Sequence, residues 1–406
     1  MTVSEHERPG AAWSPPVTDD FQAAPMIGPR QRRAKRVAFI QQALVLLAVG
    51  LLAVLIARNT VINLQARGLA SGFDFLWQEA GFKIAFALIP VDATSTYGRV
   101  FVAGLLNSLL IAALGIIAAT LLGFLLGIAR VSPSPPLRFL TRGYVELVRN
   151  LPLLLHLLLW QAVILRSLPT VKDAIGLGGI AFLSNRGLYL PMPLLGNQAN
   201  LLLSALGAAA VMAAIAWILH RRARSHGEAP PLLARGLSAG SLLLLVLVLI
   251  GLDWQVPQLS GFDYRGGLKL MPEFVSLIAA LTLYNAAFIA EIVRAGIQSV
   301  DKGQREAAAA LGLSSRQILR LVIVPPALRV IVPPIANQYT HIIKASSLAT
   351  VVGFPDLVNV FLGTSLNQTG RAVEIVAMTA AVYLVLCAAV ALATEAFNRR
   401  VALVER

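Results

Sequence analysis

Eight stretches of this chain are apolar over a length that can cross a lipid bilayer: roughly residues 37–57, 99–129, 147–165, 199–219, 234–252, 272–295, 321–343 and 372–396. A helix needs about 20 mostly apolar residues to span the hydrocarbon core, where lipid offers no partner to an open backbone group. The chain therefore reads as an all-α polytopic membrane protein with about eight transmembrane helices. Of its 406 residues 57% are hydrophobic and only 13% charged, which excludes an ordinary soluble enzyme. The net charge of +14 would point to nucleic acid in a soluble protein. Here the basic residues are spread between the apolar runs and form no single patch, so no nucleic-acid partner is read and membrane lipid is the expected surrounding.

Residues 1–36 contain Pro9, Pro15, Pro16, Pro25 and Pro29 without apolar periodicity and read as a disordered basic tail ending in Arg30, Arg32, Arg33, Lys35 and Arg36. The first span starts too far from the N-terminus, and is too long, for the core of a cleaved signal peptide, so it is expected to be retained. With eight crossings and the N-terminus inside, 22 Lys and Arg fall in inside segments and 11 in outside segments. That excess places both termini in the cytoplasm of a multi-pass protein. Residues 37–97 hold the first span and an outer loop, and 397–406 a cytoplasmic C-terminus.

Two spans have features that weaken a simple rod. The third is short and interrupted by His156, and the seventh contains Pro325, Pro326, Pro333 and Pro334. Proline at membrane depth frees carbonyls that need other partners, so the two pairs suggest broken helix lining something. No repeat of 20 to 50 residues is visible.

The chemistry of catalysis and cofactor binding is not found. None of the six Lys follows a Gly, which excludes a phosphate-cradling P-loop. The five His (His6, His156, His220, His226 and His341) make no i, i+4 pair, so no metal is expected, and His156 reads as a hydrogen-bonded structural residue. Cys387 is the only cysteine and excludes an intramolecular disulfide. No catalytic residue and no cofactor are expected in this chain.

Between the sixth and seventh spans runs Ser299-Val-Asp-Lys-Gly-Gln-Arg-Glu-Ala-Ala-Ala-Ala-Leu-Gly312, followed by Leu-Ser-Ser-Arg-Gln-Ile-Leu-Arg320. It predicts two short helices at a bend. Glu306, three residues after Gly303, suits a helix N-terminus; Ala307–Ala310 propagate it; Gly312 suits the left-handed position that ends it. Ser314 and Gln317 have capping-box spacing for a second helix running to Pro325–Pro326. A poly-alanine helix can seat closely in a groove on another protein, or the segment can be a plain amphipathic cytoplasmic loop.

Glu306-Ala307-Ala308, Gly312 and then Pro325 resemble the EAA motif of the membrane subunits of ABC importers, with Val322 and Val324 where Ile and Leu are usual. Tyr284, Phe288-Ile-Ala-Glu291-Ile-Val-Arg294-Ala-Gly296-Ile, Gly303-Gln304, Pro325-Pro-Ala327-Leu-Arg329, Asn337-Gln338 and Lys344-Ala-Ser346-Ser347-Leu348 resemble the polar amino-acid permeases. So do Gly104-Leu-Leu-Asn107-Ser108-Leu and Tyr144-Val-Glu146-Leu-Val-Arg149-Asn-Leu-Pro152. The resemblance covers about 98–166 and 270–396. Asn150-Leu151 stand where Gly-Thr is usual, and Pro326 where Gln is usual. Such permeases commonly have five core spans. The N-terminal helix and the insertion 167–268, with two further spans, resemble the longer permeases of general L-amino-acid import systems.

The resemblance implies a type I ABC importer transmembrane domain over 98–396, five core helices plus three additional ones, in the bacterial inner membrane. Residues 301–320 would be the coupling segment docking on an ABC ATPase subunit, with ATP and Mg held there and not in this chain. Glu306 would fix the bend, Ala307 and Ala308 allow close approach, and Gly312 supply the turn. A second homologous permease subunit and a periplasmic amino-acid-binding protein complete the implied partners. Asn107, Ser108, Thr282, Asn285, Lys344, Ser346 and Ser347 are polar groups in apolar core spans and candidates to line the path of a zwitterionic amino acid; bonds back to a helix carbonyl or between helices are the other reading. Glu291 and Arg294 read as an intrahelical pair, and Glu374 as interfacial. An ion-coupled secondary amino-acid transporter is the alternative, disfavoured by the scarcity of intramembrane carboxylates. A membrane scaffold would leave the prolines and embedded polar residues unexplained.

Overall fold

The computed structural model describes residues 29–66, 72–194, 199–225 and 231–401. The chain divides into two units, residues 1–71 and 72–406. In the first, α1 (Pro29–Ala66) exposes apolar side chains from Val37 to Ile62, Leu46 and Leu47 among them. Of the tail expected over 1–36, residues 1–28 lie outside the described residues. From Pro29 the chain is helical, so residues 29–36 belong to α1 and not to a tail: proline suits the first turn of a helix, and nothing in the basic run that follows breaks one.

The second unit is built on α2 (Tyr97–Arg130), α3 (Pro135–Arg149), α4 (Leu153–Ala162, extended by a π-turn to Ser167), α5 (Ala199–Ser225), α6 (Leu232–Gly251) and α7 (Pro272–Gln298). It continues through α8 (Lys302–Ala310), the single turn α9 (Ser315–Gln317), α10 (Val324–Ala345), α11 (Ala349–Val352), α12 (Leu366–Thr369) and α13 (Ala372–Val401). Among the described residues five helices are long and apolar enough to cross a membrane, the bent pair α3–α4 makes a sixth, and Ile40–Ile56 and Leu232–Val248 are shorter apolar stretches. Seven of the eight apolar stretches read from the sequence each follow one helical rod, and the third, 147–165, is divided between α3 and α4.

The third span departs from expectation. The chain turns by 105° between α3 and α4, so the apolar run enters only at Leu153. Pro152 supplies no N–H and steers Leu151 off the helical region, while Pro152 itself takes the extended conformation before α4. The seventh span departs in the opposite sense. The expected second helix does not stop at Pro325–Pro326, and the prolines do not break the span. Ser315 to Val352 is one continuous rod, with a π-turn at Ile318–Ile323 just before the first pair and Pro333–Pro334 inside α10. The wider π-turn takes up the register that two missing N–H groups disturb.

α2 and α7 form the centre. Gly115, Ala119, Gly123 and Gly127 recur every four residues on one side of α2 and let the backbones approach. A Cβ at Gly123 would stand 2.6 Å from the Ile289 Cβ, and one at Gly127 2.6 Å from the Val293 Cβ. Ile289 and Val293 continue into a cluster with Ile331, Ile335 and Ile342 of α10. On the other side, Ile111 meets Leu157, Leu277, Leu281 and Phe354. Between α11 and α13 the segment Phe354–Ser365 folds back into the protein, with Phe354, Asp356, Leu357 and Phe361 fully buried.

The insertion also holds strands, which hydropathy alone does not signal. β1 (Ile175–Leu177), β2 (Ala181–Ser184) and β3 (Gly187–Leu190) pair antiparallel, followed by β4 (Met192–Pro193). After the α5–α6 hairpin come β5 (Trp254–Gln255), β6 (Gln258–Ser260), β7 (Asp263–Arg265) and β8 (Leu268–Leu270). β8 pairs with β3, and β5 with β4. Residues on both sides of the hairpin thus share one sheet, so the two ends of the hairpin lie side by side.

Candidate coupling helix and polar cluster

α8 is capped at both ends by residues of its own segment. The Asp301 side chain accepts a hydrogen bond from the Gly303 N–H at 2.6 Å, the donor that a helix N-terminus leaves open. At the other end the Gly312 N–H donates to Ala309 O (2.9 Å) and the Leu313 N–H to Ala308 O (3.2 Å). These two bonds with Gly312 at φ +77° are a Schellman turn, which only glycine adopts without strain. Ser314 N–H donates to Gln317 Oε1 at 2.9 Å, the expected capping-box contact. The bend between the two helices follows from these local bonds.

The N-cap is Asp301, one residue before the helix, and Glu306 sits in the second turn, exposed. The signal for Asp301 was an acid two residues ahead of Gly303. Ala307 is exposed, Ala308 is buried within the chain, and Gly312 is exposed with nothing within 4 Å of where a Cβ would stand. Leu311, unremarked in the sequence, is 82% exposed at the tip. The Arg305 guanidinium donates to Ile297 O at 2.5 Å and ties the segment to the end of α7.

The seven polar residues of the core spans fall into separate groups. Asn107 Nδ2 donates to Phe86 O and Pro355 O, both at 2.8 Å, and Ser108 Oγ accepts from the Leu357 N–H at 3.0 Å. These two residues hold the inward-folded segment 354–365 against α2, where Gly104 allows Leu357 to approach. Ser346 is buried and donates to Ile343 O, while Ser347 donates to Lys344 O. Asn285 is buried between α7 and α10: its Nδ2 donates to Leu281 O (2.7 Å), and its Oδ1 accepts from Gln338 Nε2 (2.5 Å). His341 Nδ1 lies 3.1 Å from the same oxygen, so that nitrogen is the donor and Nε2 is left open. Gln338 and His341 were missed as partners of Asn285, for nothing in their spacing names a group on another helix. Thr282 keeps a buried hydroxyl without a hydrogen-bond partner among the described residues.

α10 carries a further polar feature. Asn337, His341 and Lys344 stand at i, i+4 and i+7 and are exposed. His341 stacks with Tyr284 at a centroid distance of 6.1 Å, and His156 meets the edge of the same ring at 5.5 Å. His156 is buried with Nε2 3.2 Å from Val148 O, in keeping with a structural histidine. Glu291 and Arg294 form the expected pair at 2.5 Å, and Arg130 of α2 joins them. Glu374 accepts from the Gly72 N–H at 2.7 Å.

Residues 229–403 match the family described as binding-protein-dependent transport system inner membrane component. The chain is 47% identical over 356 residues to the putative amino-acid ABC transporter permease protein YhdX of Escherichia coli (strain K12), covering 86% of this chain and 90% of that one. The chain belongs to this family of ABC-transporter permeases. It is also 44% identical over 360 residues to the general L-amino acid transport system permease protein AapQ of Rhizobium johnstonii, covering 86% and 88%. Identity to the glutamate/glutamine/aspartate/asparagine transport system permease protein BztB of Rhodobacter capsulatus is 36% over 381 residues, covering 86% and 89%. The permease is thus a multi-pass membrane subunit of an importer, with the all-α transmembrane fold expected from the resemblance, here carrying a small β-unit. Its family implies an ATPase and a substrate-binding protein as partners, and the secondary-transporter alternative is set aside.

Proposed function

We propose that this permease carries L-amino acids, delivered by a periplasmic binding protein, across the inner membrane of a bacterium, driven by ATP hydrolysed with Mg in a separate ATPase subunit. The cargo rests on the relatives, all three of which are named for amino-acid transport. The observation that carries the mechanism is the exposed stripe Asn337, His341 and Lys344 on α10. A polar stripe on a membrane-spanning helix is costly in lipid, so it faces water or another protein. One chain offers one wall, and a second permease chain closes the path. Asn285, Gln338 and Thr282 lie behind the stripe and set its polarity, with Ser346 and Ser347 at its outer end. Asn107 and Ser108 act at one remove by holding segment 354–365 as the outer closure.

The segment 301–320 is the coupling segment. Its exposed Glu306, Ala307, Leu311 and Gly312 meet the ATPase, while Ala308 anchors α8 to the permease. Both termini lie in the cytoplasm with this segment, as the Lys and Arg distribution favours. The test is uptake of labelled L-amino acids into proteoliposomes holding the permease, its ATPase and its binding protein. Uptake that requires both ATP and binding protein is expected. Uptake driven by an ion gradient without ATP would contradict the reading.

A further inference from the structure

α3 has three faces instead of the two of an ordinary amphipathic helix. At about 100° per residue, Thr141, Val145 and Val148 share one side and are buried. Arg138, Arg142, Glu146 and Arg149 occupy the next. Leu140 and Leu147 occupy the third, where they are 67% and 65% exposed, and Phe139, 78% exposed, stands at its border with the charged stripe, beside Glu146. Packing within this chain explains the first face only.

The charged stripe opens into a cleft of about 580 Å³ whose walls include Arg130 of α2 and Glu291 and Arg294 of α7. The charges there do not balance, for four guanidiniums line it against two carboxylates. Glu291 is shared by Arg130 and Arg294, with Arg149 at 3.9 Å, and Glu146 is taken by Arg142 at 2.7 Å. The exposed Arg138 guanidinium has no acceptor among the described residues.

α3 lies at the end of α2 that meets the α8 end of α7, which the proposed orientation makes cytoplasmic. The chain turns by 105° between α3 and α4, so with the apolar α4 entering the bilayer α3 is set close to the membrane plane. An exposed apolar face beside a cationic stripe, lying flat at the boundary, is the design of an interfacial helix, and basic clefts between helices at that boundary suit anionic headgroups. We propose that this cleft and the third face of α3 bind an anionic phospholipid of the inner leaflet, its phosphate held by Arg138 and Arg142 and its acyl chains lying along Phe139, Leu140 and Leu147. The forked guanidinium matches a phosphate oxygen pair, which a lysine would not.

The test is native mass spectrometry of the assembled permease complex released from nanodiscs of equal phosphatidylglycerol and phosphatidylcholine. Retention of phosphatidylglycerol in preference is expected, falling about fivefold in Arg138→Gln, the size of one basic residue's attraction at an anionic surface. Arg138 is exposed and unpartnered, so the variant should keep its ATPase bound, which checks folding in the same spectrum. Equal retention of the two lipids by the wild type would overturn the proposal. So would displacement of the lipid by millimolar inorganic phosphate, which would make this a free-anion site. Crosslinking of cysteines at Leu140 and Leu147 to a second permease chain, with no lipid retained, would make the face a protein interface and equally overturn it. The readout needs no transport, so its failure is distinct from failure of the importer reading.

Discussion

Helices α5 and α7 are both 27 residues long and both apolar enough to cross a bilayer, yet half of the most apolar stretch of α7 is buried inside the protein and only 11% of that of α5. The difference lies in the small and polar residues. α7 buries Ala280, Asn285, Ala286, Ala290 and Gly296 on several sides, so α2, α4 and α10 can all approach it. α5 buries Ala209, Ala216 and Ala223, one every seven residues, facing Ala234 and Ser241 of α6 at the same spacing. A single seam admits a single partner, and the rest of the hairpin's surface stays exposed. Hydropathy identifies both helices as spans, but only the distribution of small and polar side chains tells the working core from the addition.

The largest effect should come from adding bulk to the α2–α7 seam. Gly123→Leu places side-chain atoms where Ile289 Cβ already stands, and overpacking of this kind costs about 1–3 kcal/mol or more. Its thermal midpoint in detergent should fall markedly. The same substitution at Gly207 of α5, with nothing within 4 Å of its Cβ, should leave the midpoint unchanged. Equal losses at the two positions would erase the distinction between core and hairpin.

Next comes Asn285→Leu, which removes the acceptor shared by Gln338 and His341. Leaving a buried donor unsatisfied costs about 1–3 kcal/mol. The ATPase should stay bound while uptake falls or substrate preference changes; loss of the ATPase instead would make Asn285 a folding residue. Asp301→Ala is smaller. An N-cap contributes about 1 kcal/mol, so ATPase affinity measured by titration should drop roughly fivefold, with the spans intact. Unchanged affinity would mean that α8 stays formed without this cap.

The smallest effect belongs to the β-unit. Partial burial pushes the Asp263 carboxyl up, but hydrogen bonds from Lys269 (2.7 Å) and Tyr189 outweigh it and hold the group below its ordinary value. A depressed folded-state value contributes stability above the unfolded pKa of about 3.9 and loses it as pH falls through the folded value. Hydrogen exchange over residues 258–270 should therefore be flat from pH 7 to pH 5 after correction for intrinsic rates and rise only below about pH 4. Asp263→Asn should remove that rise, and a rise already at pH 6 would point to another group.

Much of this was legible in the residues. The eight apolar runs, the Glu291–Arg294 pair, the Gly312 turn and the Ser314–Gln317 cap are local features, and local chemistry decides them. The 105° turn at Pro152 and the continuity of α10 through four prolines were not legible, since the same proline can end a helix, start one or be absorbed by a π-turn. The strands were signalled by Gly178–Gly179 and Asn185-Arg186-Gly187, but runs of three or four residues between two spans are overshadowed by hydropathy. The link between Asn285, Gln338 and His341 depends on which faces of α7 and α10 meet, and one sequence carries no information on that.

The central claim, that α8 and its turn transmit ATP hydrolysis to the permease, is tested most directly by Gly312→Arg in the reconstituted importer, measuring ATP hydrolysis and amino-acid uptake together. Gly312 holds a left-handed backbone and stands exposed, so arginine strains the Schellman turn and obstructs the docking face without touching the spans. The expected result is normal insertion and abundance with the ATPase released, or with hydrolysis continuing while uptake is lost. Normal uptake with the ATPase still bound would show that this segment is an ordinary loop and would contradict the account.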